Sequence, residues 1–304
     1  MSSDLPRTTP STSAALPLLA LFVGGVATGF TPILIRLSDV GPTASAFWRF
    51  FLAMPVLWLW LAIHERQRQG RTNVLSGSTI VWIAGIFLAA DLGVWHWSVF
   101  YTTVANATFI GNVAPIFVAI GAWIAFRQRL SRPMVVGMLI AFTGMALMAG
   151  PNFGAGGTRA LGDGLAVLAA VFFSTYLLIV KHARATVTTA QLMAFSTTAS
   201  AIALFPVALL SPQPMLPPGV YGWVVLFGLA LIPQIIGQGA IAYAFAHLPV
   251  TLSAIGLMVQ PVVAALVAWW LFGEALTGAG LAGAGLVLVG IYLSRRTERY
   301  SSSD

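Results

Sequence analysis

The chain lacks cysteine entirely, and among its 304 residues it has only four histidines and eight acidic residues. Without cysteine there are no disulfides, no thiolate metal sites and no cysteine nucleophile. Charged residues of either sign make up 8% of the chain. At 58% hydrophobic residues and a mean hydropathy of +0.89, polar surface is too scarce to keep a globule in water. The composition is that of a polytopic membrane protein. No Gly-rich phosphate loop follows a strand, which excludes nucleotide hydrolysis within the chain. Asp91 alone among the acids falls near the middle of an apolar run. The paired carboxylates or the nucleophile and base of an intramembrane enzyme are therefore missing, and no enzyme, cofactor or metal site is expected.

What is present is a series of apolar runs of spanning length. Residues 1–16 form a polar Ser/Thr/Pro tail, expected to be disordered. The run after it has the ~20 residues a spanning helix needs and no small-residue processing site, so it reads as a retained first helix. Five spans are predicted at 17–36, 44–63, 79–99, 103–125 and 133–149, and five more at 162–181, 190–210, 221–244, 250–272 and 276–294.

The second set repeats the first. At a constant offset of 146 residues, Val104 matches Val250, Pro115 matches Pro261, Trp123 matches Trp269, Gly137 matches Gly283 and Gly144 matches Gly290. An odd number of spans per copy inserts the second copy upside down. The expected fold class is thus an all-α membrane protein of ten transmembrane helices in two inverted five-helix repeats, 17–150 and 161–294. The short tail 295–304 follows, and both termini are cytoplasmic. Charge supports the inversion: on this topology 12 of the 15 Lys and Arg residues fall inside, leaving Arg36, Arg49 and Arg159 outside or near it. Arg127, Arg129 and Arg132 of the first copy become Gly273, Ala275 and Gly278 in the second, where inversion places the same loop outside. The net charge of +7 is spread over five cytoplasmic segments. It reads as a set of topology determinants lying against anionic lipid, with no nucleic-acid partner implied.

Pro261, the run Trp269-Trp270-Leu271-Phe272-Gly273-Glu274-Ala275-Leu276-Thr277, Gly283 and Gly290 form a familiar order. With Phe47-Trp48-Arg49-Phe50 and Tyr101-Thr102-Thr103-Val104-Ala105-Asn106-Ala107, the pattern over residues 17–294 resembles the EamA family of the drug/metabolite transporter superfamily. One departure is Gln128, which stands where the second copy has Glu274. The resemblance implies a bundle in which helices 3, 4, 8 and 9 surround a central cavity, helices 1, 2, 6 and 7 rock around it, and helices 5 and 10 are peripheral. It also implies outward movement of small metabolites, often amino acids, across the bacterial inner membrane, with YddG-type aromatic amino-acid exporters as one branch.

Individual residues carry the rest of the reading. Small residues and prolines recur at helical spacing along the fourth span (Ala105, Thr108, Asn112, Pro115, Ala119) and at the matching positions of the ninth (Thr251, Ala254, Met258, Pro261, Ala265), which suits close helix packing in lipid. Pro115 and Pro261 each remove a backbone hydrogen bond near the midplane; they are candidate hinges, and the carbonyls they free are candidate ligand groups. Gln234 and Gln238 in the eighth span, Asn112 and Gln260 should point into the bundle, either lining a cavity or bonding between helices. Asp91 shares a face with Trp95 and Ser98, and at that depth an ionisable group costs at least ~2.5 kcal/mol unless it is paired or hydrated. It is a candidate for proton coupling, for holding a substrate ammonium, or for pairing with Arg49. Arg49 is a candidate for snorkelling, for pairing with an acid, or for holding a substrate carboxylate. His96 is a candidate proton group or a packing residue. Most tryptophans fall near span ends as aromatic belts, whereas Trp95, Trp97, Tyr101, Tyr176 and Tyr243 are candidates to stack an aromatic side chain or cation. Glu274 is expected to pair with Arg36 at the outer end of helix 9.

These features favour a secondary transporter of small metabolites, amino acids first and aromatic ones among them, that works by alternating access. Ten spans complete a cavity within one chain, so a monomer surrounded by membrane lipid is the expected state. The alternatives are a multidrug exporter of hydrophobic cations and a passive channel or lipid scramblase.

Overall fold

The computed structural model describes residues 15–67, 78–102, 104–128, 130–149, 158–273 and 277–296. Glu274, and the side chains of Ala105 and Thr108, lie outside the described residues. Among the described residues every regular element is helical. The first repeat comprises α1 (Ala15–Gly29), α2 (Thr31–Arg36), α3 (Pro42–Gln67), α4 (Ser78–Tyr101), α5 (Val104–Gly111), α6 (Ala114–Phe126) and α7 (Arg132–Ala149). The second comprises α8 (Thr158–Ala183), α9 (Thr189–Leu210), α10 (Val220–Leu229), a π-helical segment (Ala230–Gln238), α11 (Gly239–His247), α12 (Val250–Gly256), α13 (Val259–Phe272) and α14 (Gly278–Arg296). Eight helical stretches are long and apolar enough to cross a membrane; two further apolar helices, Arg132–Met148 and Gly278–Ser294, are shorter.

Several spans are interrupted, and the sequence explains where. α2 opens on Thr31-Pro32, and proline in a first turn is cheap because its missing N–H would have no partner there. α6 likewise opens on Ala114-Pro115. The expected hinges Pro115 and Pro261 therefore sit just after real breaks, at Asn112–Val113 and Leu257–Met258. The carbonyl that Pro261 cannot bond, that of Leu257, instead accepts from the Gln260 N–H at 3.0 Å. In the eighth span the helix widens to π geometry around Pro233. α9, by contrast, begins on a complete capping box between Thr188 and Gln191.

Contacts between the two repeats come in exchanged pairs. α4 packs on α8, and α1 on α11 and the π segment. α4 also packs on α9, matched by α3 on the π segment, and α6 on α8 is matched by α13 on α1. The pair α7 and α14 shows the relation in atoms. A Cβ added to Gly137 would strike the carbonyl of Gly290, and one added to Gly144 would strike that of Gly283. Numbers rise along one helix as they fall along the other, so the two helices are antiparallel and in backbone contact, with Ala141 and Val287 buried between them. The ends of α6 and α13 match as well. Each stops at a residue in the left-handed region, Arg127 (φ 54°) and Gly273 (φ 67°), which occupy equivalent positions of the two copies. Glycine adopts that conformation at no steric cost and arginine does not.

The end of α8 is fastened to the end of α11. Lys181 Nζ donates to the carbonyls of Phe245 and Leu248 at 3.0 and 2.9 Å, capping the last turn of α11. Arg184 donates to the carbonyls of Ala242 and Val187. At the other end of the bundle Arg36 lies over the Phe272 ring, 4.2 Å from its centroid.

The α7–α14 contact makes a prediction of sign. Gly144→Ala should destabilise the detergent-solubilised protein by about 1–3 kcal/mol, since the new methyl meets backbone. Gly285→Ala, in the facing helix but with open space around the new methyl, should be neutral or stabilising by up to about 1 kcal/mol. Thermal unfolding of the two variants checks this, and equal losses would contradict the close backbone approach.

Candidate functional site

A cavity of about 150 Å³ lies where the interrupted spans converge. The α1–α2 break contributes Thr28, Gly29, Thr31 and Pro32. Leu88, Asp91, Leu92 and Trp95 supply one stripe of α4, at the i, i+3, i+4, i+7 spacing that puts side chains on a common face. Gly111 and Asn112 come from the α5–α6 break, and Gln260, Pro261 and Ala264 from the first turns of α13. Arg49 of α3, Phe173 of α8 and Gln238 at the end of the π segment close the wall. The lining thus combines one guanidinium, one carboxylate, three amides and two aromatic rings.

Arg49 is 4% exposed and is held from behind. Its Nε donates to Gln234 Oε1 at 3.1 Å, and Gln234 Nε2 donates to Thr197 Oγ1 at 3.0 Å. Among the described residues no ion pair joins Arg49 to Asp91, although both face the same cavity. A buried guanidinium without a facing carboxylate is costly unless something else meets its donors. Gln238 is fixed differently: its Oε1 accepts from the Tyr176 hydroxyl at 3.4 Å, while the residue itself lines the cavity.

The residues singled out in the sequence therefore divide. Arg49, Asp91, Trp95, Asn112, Gln238, Gln260 and the hinge residue Pro261 come together on the cavity. Gln234 and Tyr176 are buried one layer behind it, bonded to Arg49 and Gln238 respectively. Pro115 is buried in the first turn of α6 outside the lining. His96 is not part of the lining; it is 2% exposed, with neither ring nitrogen hydrogen-bonded and its ring 5.5 Å from that of Trp95. Tyr101 stacks on Trp97 at the end of α4, and Tyr243 lies against His247 at the end of α11, both remote from the lining. Two of the tryptophans also make contacts within the bundle. Trp58 Nε1 donates to Thr198 Oγ1 across α3 and α9, and Trp223 packs edge-on against Trp48. Sequence reasoning missed the contribution of the first span, for which Gly29-Phe30-Thr31-Pro32 was the available signal.

A duplicated set of apolar helical spans, interrupted around a polar cavity in the bundle interior, defines a multi-pass membrane transporter. The chain belongs to the EamA-like transporter family, whose pattern matches residues 15–150 and again 160–296. It is similar to an uncharacterized transporter of Archaeoglobus fulgidus, with 25% identity over 292 residues that cover 91% of this chain and 96% of the relative. A protein solved by crystallography shares the fold at a TM-score of 0.80 and 19% identity, over 93% of this chain and 99% of its own.

Proposed function

We propose that this protein is a secondary transporter that moves small zwitterionic metabolites, amino acids and aromatic ones first, outward across the bacterial inner membrane. The observation that carries this reading is the cavity itself, where Arg49 and Asp91 face one space without being paired to each other. Such a site offers a cation to a carboxylate and an anion to an ammonium group. Trp95 and Phe173 supply aromatic surface for a side chain. At about 150 Å³ the cavity is smaller than the roughly 300–1,000 Å³ of pockets that take drug-sized ligands. That favours metabolites over bulky drugs. A hydrophobic cation is the second reading, favoured by the placement of Asp91 one helical turn from Trp95.

The transport cycle follows from ten spans arranged as two inverted five-helix repeats with both termini cytoplasmic. The antiparallel pairing of Gly137 with Gly290 and Gly144 with Gly283 supports the inversion, because a two-fold axis that exchanges two antiparallel helices lies across them. On this topology α12 and α6 are the cytoplasmic halves of spans 9 and 4, and they pack on each other. The cavity lies beyond them toward α13. The conformation is then outward-facing, sealed inside by α6 against α12 and by the Lys181 and Arg184 bonds to the α11 end. Cargo leaves outward, the halves exchange shapes, and the seal forms on the other side. One chain supplies the whole cavity, so the unit is a monomer in lipid.

Two measurements test this. Proteoliposomes containing the pure protein should take up labelled tryptophan or phenylalanine saturably, ahead of threonine. A parallel run with an imposed pH gradient shows whether protons drive the movement. Arg49→Ala should lower the uptake efficiency by about 10- to 100-fold, the value of a charge-assisted bond of roughly 1.5–3 kcal/mol. Uptake no greater than in empty liposomes would sink the amino-acid assignment. Retention of lipophilic-cation uptake in Arg49→Ala, with its loss in Asp91→Asn, would select the second reading.

The inner seal is tested with a single thiol, since the native chain has none. Ser253 is wholly buried in α12 with its hydroxyl unbonded, so Ser253→Cys is close to isosteric. Its modification by a membrane-impermeant maleimide from the cytoplasmic side should be slow. Adding Lys181→Met should speed it several-fold, on the order of the 1–2 kcal/mol that one lost cation-to-carbonyl clamp is worth. An unchanged rate would show that Lys181 does not hold the seal.

A further inference from the structure

The arrangement behind Arg49 assigns a role to two residues that never touch the cavity. We propose that Gln234 and Thr197 are positioning residues that fix the Arg49 guanidinium for end-on, two-pronged capture of a carboxylate. The proposal rests on the amino-acid reading of the cavity given above.

A guanidinium presents two edges to a carboxylate, one formed by Nε and an Nη, the other by the two Nη groups. Here the first edge is closed, because Nε donates to Gln234 Oε1. The Nη1–Nη2 edge remains for a ligand at the cavity, which Arg49 lines. Holding Nε also removes rotation about the last side-chain bond, so the plane of the fork is set before cargo arrives. Phe50, fully buried, adds a second restraint with its ring 5.7 Å from the guanidinium carbon.

The chemistry of Gln234 is suited to holding without neutralising. Its carbonyl oxygen accepts from Arg49 and its amide nitrogen donates to Thr197 Oγ1, so both ends of the amide are engaged with protein. Gln234 and Thr197 are 1% and 0% exposed, out of reach of cargo. A carboxylate at position 234 would make the same bond to Nε but would cancel the positive charge that attracts cargo. Thr197 fixes the amide's orientation, since only the oxygen end can face a guanidinium, which has no acceptor. The two glutamines four apart in the π segment thus have separate tasks: Gln234 stands behind the anchor, and Gln238 faces the cavity.

The test is equilibrium binding of labelled phenylalanine to the purified full-length protein, with phenylalaninamide, which keeps the ammonium and lacks the carboxylate, as competitor. Gln234→Glu should weaken phenylalanine binding about 10- to 100-fold, the range for losing a charge-assisted contact. The amide should gain on phenylalanine by a similar factor. Thr197→Val, which keeps shape and loses the hydroxyl, should weaken phenylalanine binding by about 3- to 10-fold, the value of one neutral hydrogen bond. Thr197→Ser, which keeps the hydroxyl and loses a methyl, should bind like the wild type. A packing role would reverse the order at 197, with serine impaired and valine intact, and would overturn the proposal. Binding that is lost in Arg49→Ala but unmoved by Gln234→Glu and Thr197→Val would overturn it while leaving the amino-acid reading standing. Wild-type protein that binds no phenylalanine would overturn both.

Discussion

Peptide groups in hydrocarbon have no water to turn to, so a helix can be interrupted there only where protein or a wet cavity receives the exposed backbone. That constraint organises this molecule. α3, α8 and α9 run unbroken, whereas the first, fourth and ninth spans are broken and the eighth is widened. The breaks at Phe30, Asn112 and Leu257 all lie within three residues of the cavity lining, and the π segment ends on Gln238 in its wall. The prolines at the three breaks sit where their lost hydrogen bond matters least, in the first turns of α2, α6 and α13, whereas Pro55, Pro206 and Pro233 lie within α3, α9 and the π segment. The same irregularity that would be intolerable against lipid makes room for side chains of mixed polarity in the interior.

Electrostatics follows from that geometry. The buried guanidinium of Arg49 and the half-buried carboxyl of Asp91 share the cavity but do not close on each other, and the guanidinium is steadied by a neutral amide. Away from the cavity Lys181 bonds the terminal carbonyls of α11, Arg184 bonds carbonyls within α11 and in the α8–α9 connection, and Arg36 covers an aromatic ring. Charge is scarce in this chain, and the described positions of these residues give each a distinct mechanical task.

Much of this was readable in the sequence because hydrocarbon imposes a strong length and polarity filter. Each predicted apolar run falls on a helix, and eight of the helical stretches are long and apolar enough to cross a membrane. Pro115 and Pro261 marked two of the breaks, and Asp91 and Arg49 stood out because charge at that depth is expensive. Other features were hidden for identifiable reasons. On an ideal α-helix Gln234 and Gln238 share a face, and nothing in the sequence distinguishes the residue behind the anchor from the one in front of it; the π geometry and the neighbouring Thr197 decide that. Tyr101 and Tyr243 carry the right chemistry but sit one or two turns too near the span ends to reach the centre. Arg127 was legible as a topology charge, but its left-handed backbone was not, because Gly273 is the residue type that advertises such a cap. Trp58 is also a helix-to-helix donor, which the sequence hides because its partner Thr198 lies 140 residues away.

The contact between α7 and α14 has a consequence for how such a chain could arise. Gly137 meets the counterpart of Gly144, and Gly144 meets the counterpart of Gly137. A surface in which position i touches j and j touches i is self-complementary, the kind of patch by which two identical subunits form a closed pair. On the proposed inverted topology, two separate copies of one five-helix unit, inserted in opposite senses, would make the same contact with no new residue. Joining the copies in one polypeptide then changes the entropy of assembly and leaves the contact itself untouched: an encounter that depends on how many subunits a membrane holds becomes one that happens at the effective concentration of a tether. Once joined, the copies are free to diverge at every other position, as Arg127 and Gly273 have done, while these glycines are held to their original size by the backbone across from them.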